Sequence, residues 1–410
     1  MHYHRLIALV LLVNGALLGW HLARGDWHVT NRTALPGLAN LIVVNFAVAV
    51  LIRQQHVLNV IFAAAGRGSS RWPLRLRWTI SKAYHIGGLH VGAALAGAAW
   101  LCGFTVVAVV ARVGRPVAVD LTTFTLAISL TAVILVVVAG ALPSVRARFH
   151  NVFELTHRFG GWTSVGLFWA LTLHLRNADP GAWQIWLLVL ITASIAWPWL
   201  RLRRVPVTVE CPSAHAAIIR LDYGVTPAHV TAVGISRSPL REWHTFATVS
   251  TPGQSGYRLL VSRAGDWTSR LIDDPPDHVW VRGVPTRAPI PAIEVMYQRV
   301  VYVATGSGIG PMLGLILNSQ VPSRLIWSTR NPRATYGDAL VDEVLAAHPD
   351  AVIWDTTERG KPDLLPMTHG VCRDFAAEAV LVVSNKVATS RLVHGLEQRG
   401  MPAFGPIWDS

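Results

Sequence analysis

Charge is scarce in this chain. Only 14% of its 410 residues are Asp, Glu, Lys or Arg, against 52% hydrophobic residues. The mean hydropathy is +0.39. That balance is high for a soluble protein and points to a chain that is partly in lipid. Acidic residues are the scarcer sign, 23 against 36 basic ones, and the net charge of +13 is carried mainly by arginine. A nucleic-acid partner would call for basic clusters interleaved with aromatics on one face, and none stands out. Arginines in the cytoplasmic loops of a membrane protein account for the same charge. The three cysteines, Cys102, Cys211 and Cys372, show no paired spacing, which leaves neither a disulfide framework nor a zinc site. The length leaves room for two or three domains.

What is present, in the first half, is apolar length. Six apolar runs precede residue 201, at 6–23, 34–52, 83–110, 121–142, 159–175 and 183–200. Each is near the roughly 20 residues that a spanning helix needs. They predict an all-α, six-helix membrane bundle over 1–204. The first run lacks a small-residue cleavage site and is read as a retained helix. Arg53, Arg67, Arg71, Arg75, Arg77 and Lys82 follow the second run, Arg146 and Arg148 follow the fourth, and Arg201, Arg203 and Arg204 follow the sixth. The positive-inside bias then places both termini and everything after residue 204 in the cytoplasm. Residues 57–65 are too short to span and read as interfacial. Gly88, Gly92 and Ala96, at four-residue spacing, predict a close-packing helix face.

Histidines gather near the cytoplasmic ends of these runs. His85 and His90 open the third helix, and His150, Glu154 and His157 share one face of the fifth. Ionisable groups at membrane depth are costly and are functional candidates. A histidine from each of two neighbouring helices can hold haem iron between axial imidazoles. Histidines this close to the bilayer surface can equally meet water or headgroups. The metal candidates are His85, His90 and His157, for one haem.

After Arg204 the composition changes. Short alternating stretches such as "VPVTVE", "HAAIIRL" and "HVTAVGIS" predict an antiparallel β-barrel over 205–291. From 292 to 410, the strands "RVVYVATG", "RLIWSTR", "AVIWDTT" and "AVLVVSN" alternate with helical segments, the pattern of an α/β parallel nucleotide-binding sheet. Gly306, Gly308 and Gly310 follow the first of these strands and precede a helix. Glycines there let the backbone approach a pyrophosphate, and the helix N-terminus offers free N–H donors. An ordinary tight turn would use the same residues, and the spacing is not the usual Rossmann one.

Three stretches in order make the reading more specific. Trp243-His244-Thr245-Phe246 resembles the W-H-P-F-T flavin-contact motif of the ferric reductase and NADPH oxidase family. Gly265-Asp266-Trp267-Thr268, with Leu271, is similar to that family's G-x-W-T-x-x-L stretch at the FAD pyrophosphate. "GSGIGPML", with Pro311, resembles its nicotinamide loop. The stretches "KAYHIGGLH", "FHNVFELTHRFGGW", "TTERGKPDL" and "MPAFGPIWDS" further resemble the TmpA-type transmembrane flavoproteins, which join a membrane domain to a ferredoxin-reductase-like FAD/NAD(P) module. The resemblance implies FAD against Trp243, His244, Thr245, Phe246, Gly265, Trp267 and Thr268. It implies a nicotinamide dinucleotide against Gly306, Gly308, Gly310 and Pro311, with Trp408 as a terminal aromatic over a ring face. Arg330 and Arg333 are either partners of an NADPH 2′-phosphate or plain surface arginines.

The pattern also departs from that family. Ala247 stands where the motif ends in Thr. "SNKVAT", 384–389, replaces a Cys-Gly-Pro segment that helps place the nicotinamide. No histidine stands at Ala98, Phe104 or Ala170, and His174, farther on, has no partner on the third helix, so an outer haem ligand pair is missing. The expected function is an integral membrane FAD-dependent oxidoreductase. It would pass electrons from cytoplasmic NAD(P)H through FAD to an acceptor at the bilayer, such as a quinone, a lipid-soluble metabolite or a partner protein. The alternative is a flavin- or nucleotide-binding membrane sensor without turnover. A transporter would call for an inverted repeat, and none is visible.

Overall fold

The computed structural model describes residues 2–25, 34–114, 119–227, 230–319 and 321–405. Trp408 lies outside the described residues. The chain divides into two compact units, 1–57 with 85–200, and 58–84 with 201–410.

In chain order the first helices are α1 (His2–Ala23), α2 (Ala34–Leu51), α3 (Gln55–Ala65), α4 (Leu74–Ile80), α5 (Gly87–Gly114), α6 (Leu121–Gly140), α7 (Pro143–Arg148), α8 (His150–Leu175) and α9 (Trp183–Leu200). Each of the six apolar runs falls on one of them. Among the described residues, four spans, containing α1, α5, α6 and α9, are long and apolar enough to cross a membrane. A fifth is added if α2 and α3, bent by 67° at their junction, count as one. The run at 159–175 lies in α8, which is not among these.

Within the helical unit, α5 is the central element, and its small residues explain why. A Cβ on Gly88 would stand 2.4 Å from the Tyr3 carbonyl oxygen, and one on Gly92 would stand 3.0 Å from Val10 Cβ. Helix α1 therefore lies directly on the predicted close-packing face. Asn14 Oδ1 accepts from Asn45 Nδ2 at 2.9 Å and from Trp100 Nε1 at 2.7 Å, which ties α1, α2 and α5 together through satisfied polar groups. Asp120 caps α6 by accepting from Thr123 N. Outside this core the helices present apolar side chains, with Leu12 71% and Trp20 60% exposed.

The second unit holds two sheets. Strands β1 (Arg203–Ser213), β2 (Ala216–Leu221), β3 (Thr231–Ser236), β4 (His244–Val249), β5 (Tyr257–Ser262) and β6 (His278–Val281) pair in the order β4-β5-β2-β1-β6-β3, and β3 pairs back to β4. This is the expected antiparallel barrel, closed by six strands. The two-residue β7 (Thr286–Arg287) adds to β3. Helix α10 (Asp266–Asp273) lies between β5 and β6, and its Trp267 and Leu271 join Ile219, Ile235 and Leu259 in the barrel core.

After α11 (Pro289–Glu294) comes the parallel sheet. Its strands are β8 (Val300–Thr305), β9 (Ser323–Thr329), β10 (Val352–Asp355), β11 (Ala379–Val383) and β12 (Ala403–Phe404), ordered β10-β9-β8-β11-β12. The helices between them are α12 (Ile309–Ile316), α13 (Pro332–Tyr336), α14 (Asp338–Ala347), α15 (Thr356–Arg359), α16 (Leu364–Phe375) and α17 (Lys386–Glu397). Strands β8 and β11 read as near-continuous apolar runs because both sheet faces are covered. The strand order reverses between β8 and β11, where an open α/β sheet forms its ligand crevice.

Residues 58–84, an arginine-rich loop by sequence, fold onto this second unit as a strap. The buried Arg77 guanidinium donates to Met296 O at 2.9 Å and Glu378 Oε2 at 2.8 Å, with its Nε on Trp72 O at 2.9 Å. Lys82 pairs with Glu397 at 2.9 Å. Asn59 Nδ2 donates to Pro285 O at 3.2 Å, and Asn59 Oδ1 accepts from Arg287 N at 2.6 Å.

One buried carboxyl makes this unit pH-sensitive. Glu294 is 4% exposed inside the core, where the Ser319 hydroxyl donates to it. Burial pushes its pKa from 4.5 up to about 7, and the hydrogen bond offsets only part of that. A raised acid pKa leaves stability intact below the unfolded value and removes it as pH rises toward 7. Glu294→Gln should therefore stabilise the full chain by about 3 kcal/mol at pH 8 and change little at pH 4.5. Melting curves at the two pH values check this, and equal shifts at both would refute it.

Candidate functional site

The site is built from the strand-to-helix turn after β8. Gly306 has φ +51°, the left-handed region that glycine enters without strain. Its carbonyl accepts from Trp327 Nε1 at 3.0 Å. At Gly308 a Cβ would stand 2.2 Å from the Val383 carbonyl oxygen, so no side chain fits between the turn and the end of β11. Gly310 lies against Leu260 of β5, and Gly314 against Thr248 O of β4, at 3.0 and 2.9 Å from an added Cβ. The glycines thus bring α12 directly onto the barrel wall. Pro311 stands in the first turn of α12, where a missing N–H is tolerated.

At the mouth of the crevice, Thr305 Oγ1 and Ser384 Oγ lie 2.5 Å apart, joining the C-terminal ends of β8 and β11. Ser384 opens the segment that replaces Cys-Gly-Pro. Asn385 caps α17 by accepting from Ala388 N at 3.0 Å. Trp327 and Tyr336, with ring centroids 5.4 Å apart, brace the turn from the β9 side. Burial raises the Tyr336 phenol above its usual pKa and keeps it a neutral donor. Beyond β9, Arg333 is held by Asp338 at 2.9 Å and Asp342 at 2.7 Å, while Arg330 is exposed.

The barrel motifs are placed as follows. Trp243 is 6% exposed, donates to Pro239 O at 2.8 Å and carries the Arg282 guanidinium 4.3 Å over its ring. His244 and Phe246, two apart on β4, share a face and stack on Trp267 with centroids at 4.3 and 6.0 Å. That stack belongs to the barrel's own packing. Thr245, on the alternate face, is exposed. Gly265 precedes α10, and a Cβ there would meet nothing within 4 Å. Thr268 Oγ1 accepts from Ala264 N at 2.9 Å and Gly265 N at 3.1 Å, which fixes that helix start.

The structure therefore brings Gly308 against the end of β11 and Gly310 against β5, with Gly306 bonded to Trp327 and Pro311 in the first turn of α12. It leaves Trp243 and Trp267 in barrel packing. Thr305, Trp327 and Tyr336 were not singled out by sequence, and Ser384 only as the start of the segment that departs from Cys-Gly-Pro, because only the folded sheet makes them neighbours. A groove of about 570 Å³ among Arg220, Gln254, Tyr257 and Arg258 contains none of the expected residues.

In the helical unit, His90 and His157 face each other with ring centroids 6.2 Å apart. His90 Nδ1 is bonded to Ala49 O at 2.8 Å, which leaves its Nε2 for another partner. Nδ1 of His157 is buried without a hydrogen-bond partner. His85 is not part of this pair. It stacks with His2 at 5.9 Å. No group of three or more metal-ligating side chains occurs among the described residues.

Comparison with known proteins adds a family-level likeness. Residues 290–410 match the family described as "Adenylate-forming reductase 03009, C-terminal domain". Over its whole length the chain is 41% identical to two proteins of Coprinopsis cinerea (strain Okayama-7), adenylate-forming reductases 03009 and 06235. It spans 40% of the length of each. These relatives carry the name adenylate-forming reductase, not that of the TmpA-type or ferric reductase families that the motifs resemble. Among solved structures, a ferredoxin NADP+ reductase from Neisseria gonorrhoeae with bound FAD and NADP aligns at 13% identity and TM-score 0.40, over 50% of this chain and 99% of its own. A flavohemoglobin from Malassezia yamatoensis with bound FAD and heme aligns at 13% identity and TM-score 0.45, over 92% of this chain and 97% of its own.

Proposed function

We propose that the chain is a membrane-embedded reductase unit that takes electrons from NAD(P)H through FAD to an acceptor at the bilayer. The observation that carries this reading is the glycine turn at the β8–β11 crevice, set against the end of β11, with the helix it opens packed on β4 and β5 of a closed barrel. FAD, when bound, accepts a hydride and can release electrons singly. The chain's own residues do the holding. Backbone N–H groups at Gly306–Gly308 would hold the phosphates of a nicotinamide dinucleotide, and the start of α10 at Gly265 would hold a second phosphate. The Thr305 and Ser384 hydroxyls would orient the nicotinamide amide. The reductase name of both relatives supports a reductive role for this region.

The exposed apolar faces of α1, α5, α6 and α9 support insertion in a bilayer. The arginine distribution supports a cytoplasmic barrel-and-sheet unit. His90 and His157 are spaced to hold one haem between their imidazoles, with His90 oriented by Ala49 O. Ser384-Asn385-Lys386 in place of Cys-Gly-Pro favours a second reading, a flavin- or nucleotide-binding sensor without turnover.

An absorbance spectrum of the detergent-purified full chain, taken anaerobically before and after NADPH and then NADH, separates these readings. The expected result is a flavin band that bleaches with one nucleotide, together with a Soret band lost in His90→Ala. Flavin that bleaches with neither nucleotide would give the case to the sensor. No flavin after FAD is added back would refute the reductase and a flavin-binding sensor alike.

A further inference from the structure

The strap at 58–84 carries five basic side chains, Arg67, Arg71, Arg75, Arg77 and Lys82, and no Asp or Glu. Two of them are consumed as anchors, Arg77 on Met296 O and Glu378, and Lys82 on Glu397. The other three point outward. Arg67, Arg71 and Arg75 are exposed, and none makes an ion pair among the described residues. Elsewhere on the same unit, exposed arginines do find carboxylates: Arg237 holds Asp274 at 2.5 Å, Arg270 holds Glu242 at 3.0 Å, and Arg333 holds Asp338 at 2.9 Å. Arg203, Arg220 and Arg330 are exposed without an ion pair among the described residues too, so what distinguishes these three is the apolar surface between them.

Apolar side chains sit between them. Trp72 is 40%, Leu74 41% and Leu76 46% exposed, within five residues of sequence. Exposed leucines and a tryptophan beside unpaired arginines match a surface that lies at a headgroup layer, where the rings and aliphatic groups enter the acyl boundary and the guanidinium groups meet phosphate. A soluble acidic partner would explain the arginines but not the leucines. Chain connectivity points the same way: α2 ends at Leu51 and α5 begins at Gly87, so apolar helices flank the strap on both sides in sequence.

We propose that the exposed face of this strap, Arg67, Arg71, Trp72, Arg75 and Leu76, binds anionic lipid headgroups at a bilayer surface. Arg77 and Lys82 hold the strap so that this face stays outward. The inference rests on the membrane reading above, and the test keeps the two apart.

The full chain is reconstituted into discs of phosphatidylcholine alone, or with phosphatidylglycerol, and backbone hydrogen exchange is followed over residues 66–77. Exchange there should be at least about tenfold slower in the anionic discs, and salt should weaken the difference. The triple variant R67Q/R71Q/R75Q should lose the difference while its other segments exchange as before. Equal exchange in the two discs, or protection that survives in the triple variant, would overturn the proposal. If the chain instead stays in solution without detergent or discs, the membrane reading fails. Flotation with vesicles then decides the surface: binding to phosphatidylglycerol vesicles and not to phosphatidylcholine ones supports it, and no binding overturns it. Protection by soluble polyphosphate but not by anionic lipid also overturns it.

Discussion

Gly308→Ala should slow NAD(P)H-dependent bleaching of bound flavin about 100-fold, the scale set by a displacement near 1 Å at a reacting centre. The added Cβ would stand 2.2 Å from the Val383 carbonyl oxygen and 3.2 Å from Val383 Cγ1. The first contact is with backbone, which cannot swing aside as a side chain can. Either the turn lifts off β11 or β11 shifts in its sheet. Both change the distance between Thr305 and Ser384, the pair that closes the crevice. Overpacking of this kind also costs about 1–3 kcal/mol of stability. The control is Gly370→Ala in α16, where a Cβ meets nothing within 4 Å. That change replaces glycine by the best helix former and should be neutral or stabilising by up to about 1 kcal/mol. Stopped-flow bleaching and thermal melts of both variants are the measurements. A Gly308→Ala protein that bleaches and melts like the parent would sink the role given to this turn.

The same glycines show how far sequence carries. The strand-turn-helix pattern predicted a turn where backbone comes close to something, and the fold agrees. Sequence pointed to a phosphate as the thing approached, yet the atoms that exclude a Cβ at Gly308, Gly310 and Gly314 are the protein's own. A glycine needed for close packing and one needed for a ligand look alike in a sequence. The aromatic motifs raise a related question. His244 and Phe246 are two apart on a strand, so they share a face, and that face stacks on Trp267 in the barrel. Alternation along β4 also leaves Thr245 outward, a distinction that a motif quoted as a string does not make. The barrel and the parallel sheet were legible because alternation and apolar runs are local signals. The brace formed by Trp327 and Tyr336 was not, since it depends on how β9 and α13 return to the turn.

The strap was the least legible element, and it makes the last strong prediction. An arginine-rich loop between two apolar runs reads the same whether it is loose or folded. Its partners Met296 and Glu378 lie 219 and 301 residues away. Arg77→Met should destabilise the barrel-and-sheet unit by about 3 kcal/mol, the lower end for a broken buried pair because Glu378 keeps 29% of its side chain exposed. The loss is mainly the stranding of Glu378 and of the Met296 carbonyl, together with the guanidinium 5.2 Å over the Tyr297 ring. The pH dependence gives a second readout. Burial would raise the Glu378 carboxyl, but hydrogen bonds from Arg77 and Gln298 N more than offset it, and its pKa falls below 4.5. A depressed acid pKa contributes stability above the unfolded value and loses it as pH falls through the folded one. The parent should therefore lose stability as pH drops below about 4.5, and Arg77→Met should lose less over that interval. Adding Glu378→Gln to Arg77→Met should recover part of the deficit at neutral pH, since the stranded charge is then gone. Melts of the three proteins at pH 7 and pH 4, with hydrogen exchange across residues 58–84, check both limbs. If Arg77→Met melts with the parent while the strap exchanges no faster, the strap is held by its other contacts and Arg77 is a passenger.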